Sequence, residues 1–374
     1  MSKKKLGFGA MRLPLLDTND AGSIDTELLK QMVDTFIERG FTYFDTAWMY
    51  CDGKSESTMK EVLVSRYPRD AFTLTTKLPA YLLKSEEDRD WVLNEQLHKT
   101  GAGFFDYYLL HDVNSNTIKT FEKLDCFTWL KNKKEQGLVK TIGFSFHDGP
   151  ELLDRLLTEH PEVEFVQLQI NYLDWESVSV QSRACYEVAV KHGKPVIVME
   201  PVKGGTLAQV PEAVEKMFKE KDASMSVSSW AIRFAASLDN VMLVLSGMSD
   251  MKQVLDNTGY MMDFVPLTDE EVAMAHRAAD IINGKIAIPC TGCAYCVVEC
   301  PKNIAIPKYF SLYNADLQEV EGKGWTPQMG YYGTMTDSFA KPSDCIKCGK
   351  CENMCPQHLP IRKYLEDVTA HFER

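Results

Sequence analysis

Short apolar runs alternate with segments of helical periodicity from Leu6 to about Tyr260. Gly, Pro, Lys or Asp bounds each apolar run, which is typical of β-strands. The predicted strands are Leu6–Ala10, Thr42–Asp45, Phe72–Thr76, Tyr107–Leu110, Thr141–Ser145, Phe165–Gln169, Pro195–Met199 and Val241–Ser246. The predicted helices between them include Glu27–Glu38, Ser57–Arg66, Glu86–Lys99 and Ser177–Lys191. The pattern therefore indicates a long series of strand–helix units.

Strands that alternate with helices predict a parallel sheet, and so an α/β fold. Eight such units in about 250 residues fit a closed (β/α)8 TIM barrel. An open doubly wound sheet is the alternative, but that fold usually has a G-x-G-x-x-G phosphate loop after its first strand. Here the residues after the first strand are MRLPLL. The missing glycine-rich loop favours the barrel.

One more helix is predicted after the last strand, and a change of composition follows it. The helix spans Asp269–Ile282, with Thr268 as N-cap and Glu271 completing a capping box. From Cys290 onward the chain is rich in Cys, Pro, Gly and Tyr. We therefore predict a barrel domain over residues 1–283 and a second, smaller domain over residues 284–374.

Eight of the 11 cysteines lie in this second domain and form two copies of the pattern C-x2-C-x2-C-x3-C-P. The first copy consists of Cys290, Cys293, Cys296 and Cys300, and the second of Cys345, Cys348, Cys351 and Cys355. The alternative is structural zinc, but zinc sites use pairs of C-x2-C without four cysteines and a closing proline. The duplicated pattern therefore predicts two [4Fe–4S] clusters.

This part of the chain resembles a bacterial two-cluster ferredoxin domain, in which the fourth cysteine of each copy ligates the other cluster. The resemblance implies one cluster on Cys290, Cys293, Cys296 and Cys355, and the other on Cys345, Cys348, Cys351 and Cys300. The span between the copies is longer than in compact ferredoxins and contains an insertion at about residues 311–341. The insertion is expected to cover the clusters, face the barrel or form an exposed connector.

The composition of the chain limits the cellular compartment and the classes of binding partner that we expect for the protein. The net charge of −12 disfavours a nucleic-acid partner. No segment has the roughly 18 consecutive apolar residues of a membrane span, and the N-terminus lacks a signal-peptide core. We therefore expect a cytoplasmic protein with no membrane or nucleic-acid partner. Because the cytosol is reducing, Cys51, Cys126 and Cys185 are expected to be buried small hydrophobic residues rather than disulfide partners.

Ionisable residues follow three neighbouring strands of the predicted barrel. Asp45 ends the second strand, Tyr50 lies in the loop after it, Lys77 ends the third strand and His111 ends the fourth. Active sites of such barrels lie at the C-terminal ends of the strands. A lysine cation near a tyrosine lowers the pKa of the phenol, and an aspartate holds the lysine in place. The set therefore predicts a tyrosine general acid beside a substrate carbonyl that the histidine orients.

Asp45, Tyr50, Lys77 and His111, in this order and on these strands, resemble the catalytic tetrad of the aldo-keto reductases. The resemblance extends from about Leu6 to about Tyr260 and includes GFGAMRLP, GFTYFDTAWMY, TTKLP, LLHDV and IGFSFH. With the cysteine motifs, it points to the bacterial subfamily that has an appended ferredoxin-like domain. It implies an NADH or NADPH cofactor that lies extended across the barrel rim.

The resemblance also implies the residues that bind the cofactor. Ser145 and Gln167 are expected to hold the carboxamide, and Met199 stands where the family often stacks a tyrosine on the nicotinamide. Gly204 and Gly205 are expected either to let the backbone approach the pyrophosphate or to form a plain turn. At the adenosine end the matching positions are Gly247, Gln253 and Asn257, with Lys252 adjacent; Asn257 is either an adenine contact or a helix surface residue. Uncharged Gly247 and Gln253 favour NADH or mixed use, because a 2′-phosphate is usually bound by Lys and Arg.

Three functions are compatible with these patterns. The first is NAD(P)-dependent interconversion of a carbonyl compound and an alcohol, with the clusters structural or an electron relay. The second is electron transfer from nicotinamide through the clusters to a redox partner protein, which needs a group such as a flavin to split electron pairs. The third is a barrel that only supports the ferredoxin-like domain. The complete tetrad favours the first.

Overall fold

The computed structural model describes residues 4–177, 180–284, 287–290, 292, 294–318, 325–355 and 358–373. Cys293, one of the predicted cluster ligands, lies outside the described residues. So do residues 319–324 of the predicted insertion.

Eight parallel strands form a closed barrel in chain order, in which the first strand pairs with the second and the eighth. They are β1 (Leu6–Gly9), β2 (Tyr43–Asp45), β3 (Thr73–Pro79), β4 (Phe105–Val113), β5 (Val139–Phe146), β6 (Phe165–Gln169), β7 (Val196–Met199) and β8 (Val241–Gly247). The prediction of a (β/α)8 barrel is confirmed. Lys77 and His111 do not end their strands as predicted, because pairing continues to Pro79 on β3 and Val113 on β4.

Helices connect the strands, and one of the predicted helices has the wrong start. The helices of the barrel are α1 (Thr26–Glu38), α2 (Ser55–Met59), α3 (Glu87–Thr100), α4 (Ile118–Lys123), α5 (Cys126–Glu135), α6 (Pro150–Glu159), α7 (Ser182–Lys191), α8 (Glu212–Lys221), α9 (Val227–Ser237), α10 (Met251–Met262) and α11 (Asp269–Asn283). A π-helical turn, Lys60–Val64, continues α2. Helix α7 begins at Ser182 rather than Ser177, because Gln181 has a left-handed backbone with φ 54°.

Side chains fill the barrel interior, so the barrel has no pore. Tyr43, Leu109, Phe165, Ile197, Leu243 and Leu245 form this inner layer. Gly143 faces it from β5, where an added Cβ would lie 2.5 Å from the carbonyl oxygen of Phe165. A packed interior leaves the rim at the C-terminal ends of the strands as the place for a binding site.

Helix α11 closes the barrel domain with the predicted capping box. The Thr268 hydroxyl accepts from the Glu271 N–H, and the Glu271 carboxylate accepts from the Thr268 N–H at 2.8 Å. We expect Thr268→Ala to destabilise the protein by about 1 kcal/mol in urea unfolding, because the Glu271 N–H loses its side-chain acceptor. Thr158→Ala, at an exposed helix position, serves as the control and should change stability by less than about 0.5 kcal/mol. Equal stability of both variants would contradict the capping role.

The C-terminal module consists of short helices around a core of its own. They are α12 (Tyr295–Val298), α13 (Ile306–Leu317), α14 (Pro327–Ser338), α15 (Lys350–Asn353) and α16 (Ile361–Phe372). The core includes Tyr309, Phe310 and Leu365 together with the buried cysteines Cys296 and Cys351. Among the described residues, no helix combines the length and apolar character that a bilayer crossing requires.

The cysteine motif of the C-terminal module is repeated in the backbone as well as in the sequence. A shift of 55 residues takes Cys290 to Cys345. The same shift relates three pairs of residues with left-handed backbone, Gly292 to Lys347, Ala294 to Gly349 and Asn303 to His358. It also takes the start of α13 to the start of α16. The module is therefore a duplicated unit, and the insertion between the copies contains α14.

Candidate active site

A buried ion pair lies where β2 and β3 reach the rim. Lys77 Nζ donates to Asp45 Oδ1 at 2.6 Å and to the carbonyl oxygen of Thr46 at 2.8 Å. Both side chains are almost fully buried. Burial acts to lower the pKa of Lys77, but Asp45 and the nearby Tyr50 outweigh it and hold that pKa above its usual value. The ammonium group therefore stays charged at neutral pH.

Tyr50 lies in a tight loop beside this pair. The loop continues through Cys51, Asp52 and Gly53, which all have positive φ. The Lys77 ammonium lies 4.9 Å from the centre of the Tyr50 ring. Burial raises the pKa of Tyr50, although the charge of Lys77 opposes the rise. The predicted net decrease is therefore wrong, because desolvation of the phenolate outweighs the cation. The phenol keeps its proton at neutral pH and can donate it.

His111 completes the group of four at a bulge in β4, where the pairing with β5 is irregular between Leu110 and Val113. Its ring meets the Tyr50 ring edge-on, with 6.0 Å between centroids. Burial lowers the pKa of His111 well below its usual value, and the charges of Lys77 and His147 add to the decrease. The imidazole is therefore neutral, so it can donate one N–H to a carbonyl oxygen without carrying a positive charge.

A cavity of about 510 Å³ opens above these residues at the C-terminal rim of the barrel. Asp45, Tyr50 and His111 line it, and Lys77 lies buried behind them. The residues that the sequence assigned to the cofactor line the same cavity: Ser145, Gln167, Met199, Gly204, Gly205, Gly247, Gln253 and Asn257. The structure thus brings the predicted catalytic and cofactor-binding positions together around one space.

The middle of this cavity suits a carboxamide group. Ser145 and Gln167 are neighbours across β5 and β6. Ser145 Oγ accepts from the N–H of Asp112 at 2.8 Å, which leaves its own O–H to donate. Gln167 Nε2 approaches Met199 Sδ at 3.6 Å, and Gln167 Oε1 is buried with no partner among the described residues. One donor and one orphaned acceptor match the C=O and NH2 of a nicotinamide carboxamide.

The loop after β7 forms one wall of the cavity and has an unusual backbone. Glu200, Lys203, Gly204 and Gly205 all have positive φ. Nothing lies within 4 Å of a Cβ added to Gly205, so its φ of 105°, rather than close packing, requires glycine. Sequence reasoning missed Glu200, which accepts from the N–H of Gly204 at 2.6 Å and pairs with Arg12 at 3.1 Å across the cavity.

At the other end, the residues predicted for the adenosine half lie near β8 and α10. Asn257 is buried, so the alternative of a helix surface residue is wrong. Asn257 Nδ2 donates to Ser246 Oγ at 3.0 Å. Gln253 Nε2 donates to Asp250 Oδ2 at 3.1 Å, and Asp250 caps the first turn of α10. A carboxylate therefore stands beside the position where a 2′-phosphate would need a cation.

The insertion of the C-terminal module lines the same cavity. Its lining residues are Trp325, Pro327, Gly330, Tyr331 and Thr334. Of the alternatives left open by the sequence, the one that the described part of the insertion bears out is that it faces the barrel. The aromatic segment GWTPQMGYYG is the sequence feature that could have indicated this contact. No sequence rule, however, relates that segment to a catalytic tetrad more than 200 residues earlier in the chain. His147, also a lining residue, was missed because it lies beyond the end of β5.

The described cysteines fit a cluster in the second half of the module. Cys300 lines a small cavity together with Cys345, Cys348 and Cys351, which is the set expected from crossed ligation. The N–H of Ile304 lies 3.5 Å from Cys300 Sγ, as a donor to a ligand sulfur would. Among the described residues, no three Cys, His, Asp or Glu side chains are close enough to hold one metal ion. For the other set, Cys290, Cys296 and Cys355 share the core of the module.

Comparison with known proteins agrees with this fold. A family model described as the aldo/keto reductase family matches residues 5–280, and one described as a 4Fe-4S dicluster domain matches residues 289–359. Aldo-keto reductase AKR2E4 of Bombyx mori is 22% identical over 71% of this chain and 88% of its own length. The uncharacterized oxidoreductase YqkF of Bacillus subtilis is 23% identical over 75% of this chain and 98% of its own length.

Solved structures show the same barrel. Aldo-keto reductase AKR11C1 of Bacillus halodurans has a TM-score of 0.57 at 23% identity and covers 73% of this chain and 91% of its own. An aldo-keto reductase of Klebsiella pneumoniae in complex with NADPH has a TM-score of 0.57 at 17% identity and covers 74% of this chain and 95% of its own. Because the family match covers more than half of the chain, this protein belongs to the aldo/keto reductase family of NAD(P)-dependent oxidoreductases and has a 4Fe-4S dicluster domain after the barrel.

Proposed function

We propose that the protein reduces an aldehyde or ketone to the alcohol, or catalyses the reverse reaction, and that Tyr50 supplies the proton. One observation carries the proposal: the phenol of Tyr50, next to Lys77 and His111, faces the same cavity as the Gln167 amide oxygen, which has no partner in the described part of the chain. A bound nicotinamide dinucleotide supplies the hydride in this chemistry.

Each of the four tetrad residues has a different role in the transfer of a proton to the substrate carbonyl oxygen. The neutral imidazole of His111 donates an N–H to the carbonyl oxygen and orients it towards Tyr50. As negative charge develops on that oxygen, Tyr50 transfers its proton to it. Lys77 stabilises the phenolate that remains, and Asp45 keeps Lys77 in place through the 2.6 Å hydrogen bond. Ser145 and Gln167 orient the carboxamide, and Met199 packs beside the ring.

The test is anaerobic oxidation of NADH and NADPH by protein that contains its clusters, with a panel of aldehydes, ketones and quinones. We expect oxidation of the cofactor only when a carbonyl compound is present. Oxidation that does not depend on any carbonyl compound would contradict the proposal.

The preference for NADH is a separate proposal that rests on the adenosine end of the cavity. Gln253 and Asp250 provide an amide and a carboxylate, and the carboxylate would repel a 2′-phosphate there. Arg12 packs against Gly247 nearby, but its guanidinium group pairs with Glu200 at 3.1 Å. We expect Gln253→Arg to lower the KM for NADPH by about tenfold and to leave the KM for NADH nearly unchanged, because arginine binds phosphate with charge-assisted hydrogen bonds. Gln136→Arg, which adds the same charge at an exposed position away from the cavity, is the control and should leave both KM values unchanged. A wild-type protein that uses NADPH better than NADH would contradict this preference.

We also propose that the module holds two [4Fe–4S] clusters by crossed ligation, one on Cys345, Cys348, Cys351 and Cys300 and the other on Cys290, Cys293, Cys296 and Cys355. The cavity that Cys300 shares with the second motif supports the crossed sets. Iron and sulfide analysis of protein purified without oxygen should give about eight iron atoms per chain.

Electron transfer to a partner protein is a second candidate, and one observation favours it. Cys348 is exposed, and the neighbouring Ile346 is 56% exposed, so a cluster on this motif would lie near the surface. Flavin released on denaturation would support this function. Cluster loss without any change in carbonyl reduction would count against it.

A further inference from the structure

Helix α14 connects the C-terminal module to the active-site cavity through two adjacent tyrosines. Tyr332 packs into the module: its ring stacks on Phe372 at 4.6 Å, and its hydroxyl donates to Glu373 Oε1 at 2.7 Å. Tyr331 instead reaches into the barrel and lines the cavity. The helix therefore has its support in one domain and presents a phenol to the site of the other.

A contact from the barrel holds the same helix in place. Asn116 Nδ2 donates to the carbonyl oxygen of Thr334 at 3.2 Å and to Asp337 Oδ2 at 3.1 Å. Asn116 lies just before α4, on the loop that follows the strand of His111. Helix α14, whose residues line the cavity, is thus attached to both domains. These attachments keep the Tyr331 hydroxyl at a defined place in the cavity.

The hydrogen bonds beneath Tyr331 determine which way its proton points. Lys203 Nζ donates to Asp174 Oδ1 at 2.6 Å, and Gln169 Nε2 donates to Asp174 Oδ2 at 2.8 Å. A carboxylate only accepts, so the amide nitrogen of Gln169 must face Asp174 and its oxygen must face Tyr331. Tyr331 lies 3.1 Å from Gln169 Oε1 and therefore donates its single proton to that oxygen.

Asp174 remains ionised, as this orientation requires. Burial acts to raise the pKa of Asp174, but the Lys203 cation and the hydrogen bonds from Lys203, Asn171 and Gln169 hold the pKa below its usual value. The chain of contacts from Lys203 through Asp174 and Gln169 to Tyr331 is therefore polarised in one direction. At its end, the phenol oxygen offers lone pairs rather than a proton.

These lone pairs face the reacting end of the cavity. His147 Nδ1 lies 3.4 Å from the Tyr331 hydroxyl, and the two rings are 5.9 Å apart. His147 and His111 both line the cavity. The phenol oxygen of Tyr331 is thus a hydrogen-bond acceptor in the same cavity as the histidine that would hold a substrate carbonyl.

We propose that Tyr331 is a positioning residue that accepts a hydrogen bond from a hydroxyl group on the substrate, so that the preferred substrates are hydroxycarbonyl compounds. The inference rests on the proposed carbonyl reduction. It makes the C-terminal module a part of the substrate site, because Tyr331 belongs to helix α14 of that module.

The test compares isosteric substrates that differ by a hydroxyl in place of a methyl: hydroxyacetone against butanone, and 2-hydroxyacetophenone against propiophenone. We expect the Tyr331→Phe variant to lose about 10- to 100-fold of the wild-type preference for the hydroxyl member in kcat/KM, mainly through a higher KM, because phenylalanine leaves the substrate O–H without an acceptor. The hydroxyl also activates the carbonyl in solution, so the informative quantity is the change of this ratio between the two proteins.

Tyr332→Phe is the matched control, since it removes a neighbouring hydroxyl that bonds within the module. It should leave the ratio unchanged. Iron content and the cluster absorbance establish that both variants keep their clusters. A Tyr331→Phe variant that loses both members of a pair equally, or neither, would overturn the inference and leave carbonyl reduction intact. A wild-type protein that reduces no compound of the carbonyl panel would overturn the proposed function and this inference with it.

Discussion

Replacing Tyr50 by phenylalanine is expected to lower kcat for carbonyl reduction by about 10²- to 10⁴-fold, which is the usual contribution of a positioned general acid. The phenyl ring keeps its place beside His111, at 6.0 Å between centroids in the native protein, so substrate and cofactor affinity should change little. The measurement is steady-state reduction of the best substrate from the carbonyl panel, with NADH affinity determined separately.

Tyr81→Phe is the control for this change, because Tyr81 follows β3 but is 56% exposed. It should behave like the wild-type protein. A Tyr50→Phe variant that reduces every active substrate at the wild-type rate would remove Tyr50 from the chemistry.

The pH dependence of the reaction rate should also depend on the phenol proton of Tyr50. Burial raises the pKa of Tyr50 above its ordinary value, so the phenol is protonated throughout the neutral range. Reduction uses the protonated form and should fall only above about pH 10, whereas alcohol oxidation uses the phenolate and should rise with pH.

Replacing Cys351 by alanine is expected to reduce the iron content from about eight to about four atoms per chain or fewer, and to destabilise the C-terminal module. Cys351 is buried in the core of the module together with Cys296 and Cys355. A small core of this kind depends on its metal for stability. Because α14 belongs to this module, the variant should also show a higher KM for the carbonyl substrate.

Cys126→Ala provides the comparison, since Cys126 is a fully buried cysteine of the barrel. The Cys126→Ala variant should lower the stability of the barrel without any loss of iron. Iron analysis, absorbance near 400 nm and thermal unfolding separate the two effects. An unchanged iron content in Cys351→Ala would contradict the ligand assignment.

Local sequence patterns were sufficient for most of the fold. The apolar runs predicted the eight strands, because a strand buried on both faces needs continuous apolar residues whatever lies around it. Thr268 and Glu271 predicted the start of α11, since a capping box is made within four residues. The start of α7 was missed because the left-handed backbone of Gln181 is not encoded in a periodic pattern.

The candidate site was only partly predictable. Asp45, Tyr50, Lys77 and His111 could be found because each lies near the C-terminal end of a strand or in the loop after it, and parallel strands deliver such positions to one rim. The predicted direction of the pKa shift of Tyr50 was wrong, because the shift depends on how deeply the protein buries the phenol. Burial is a property of the whole fold and has no local signature in the chain.

The chain's spacing of apolar residues and cysteines thus determined the barrel, its C-terminal rim and the duplicated cluster motif, because each of these depends on residues a few positions apart. The tertiary structure decided that Tyr331 enters the active-site cavity, that Gln169 and Asp174 turn its proton away from the substrate, and that Glu200 meets Arg12 across that cavity. Tyr331 and Gln169 are 162 positions apart, and Glu200 and Arg12 are 188 positions apart. Contacts over such distances depend on how the whole fold packs, which no short segment specifies.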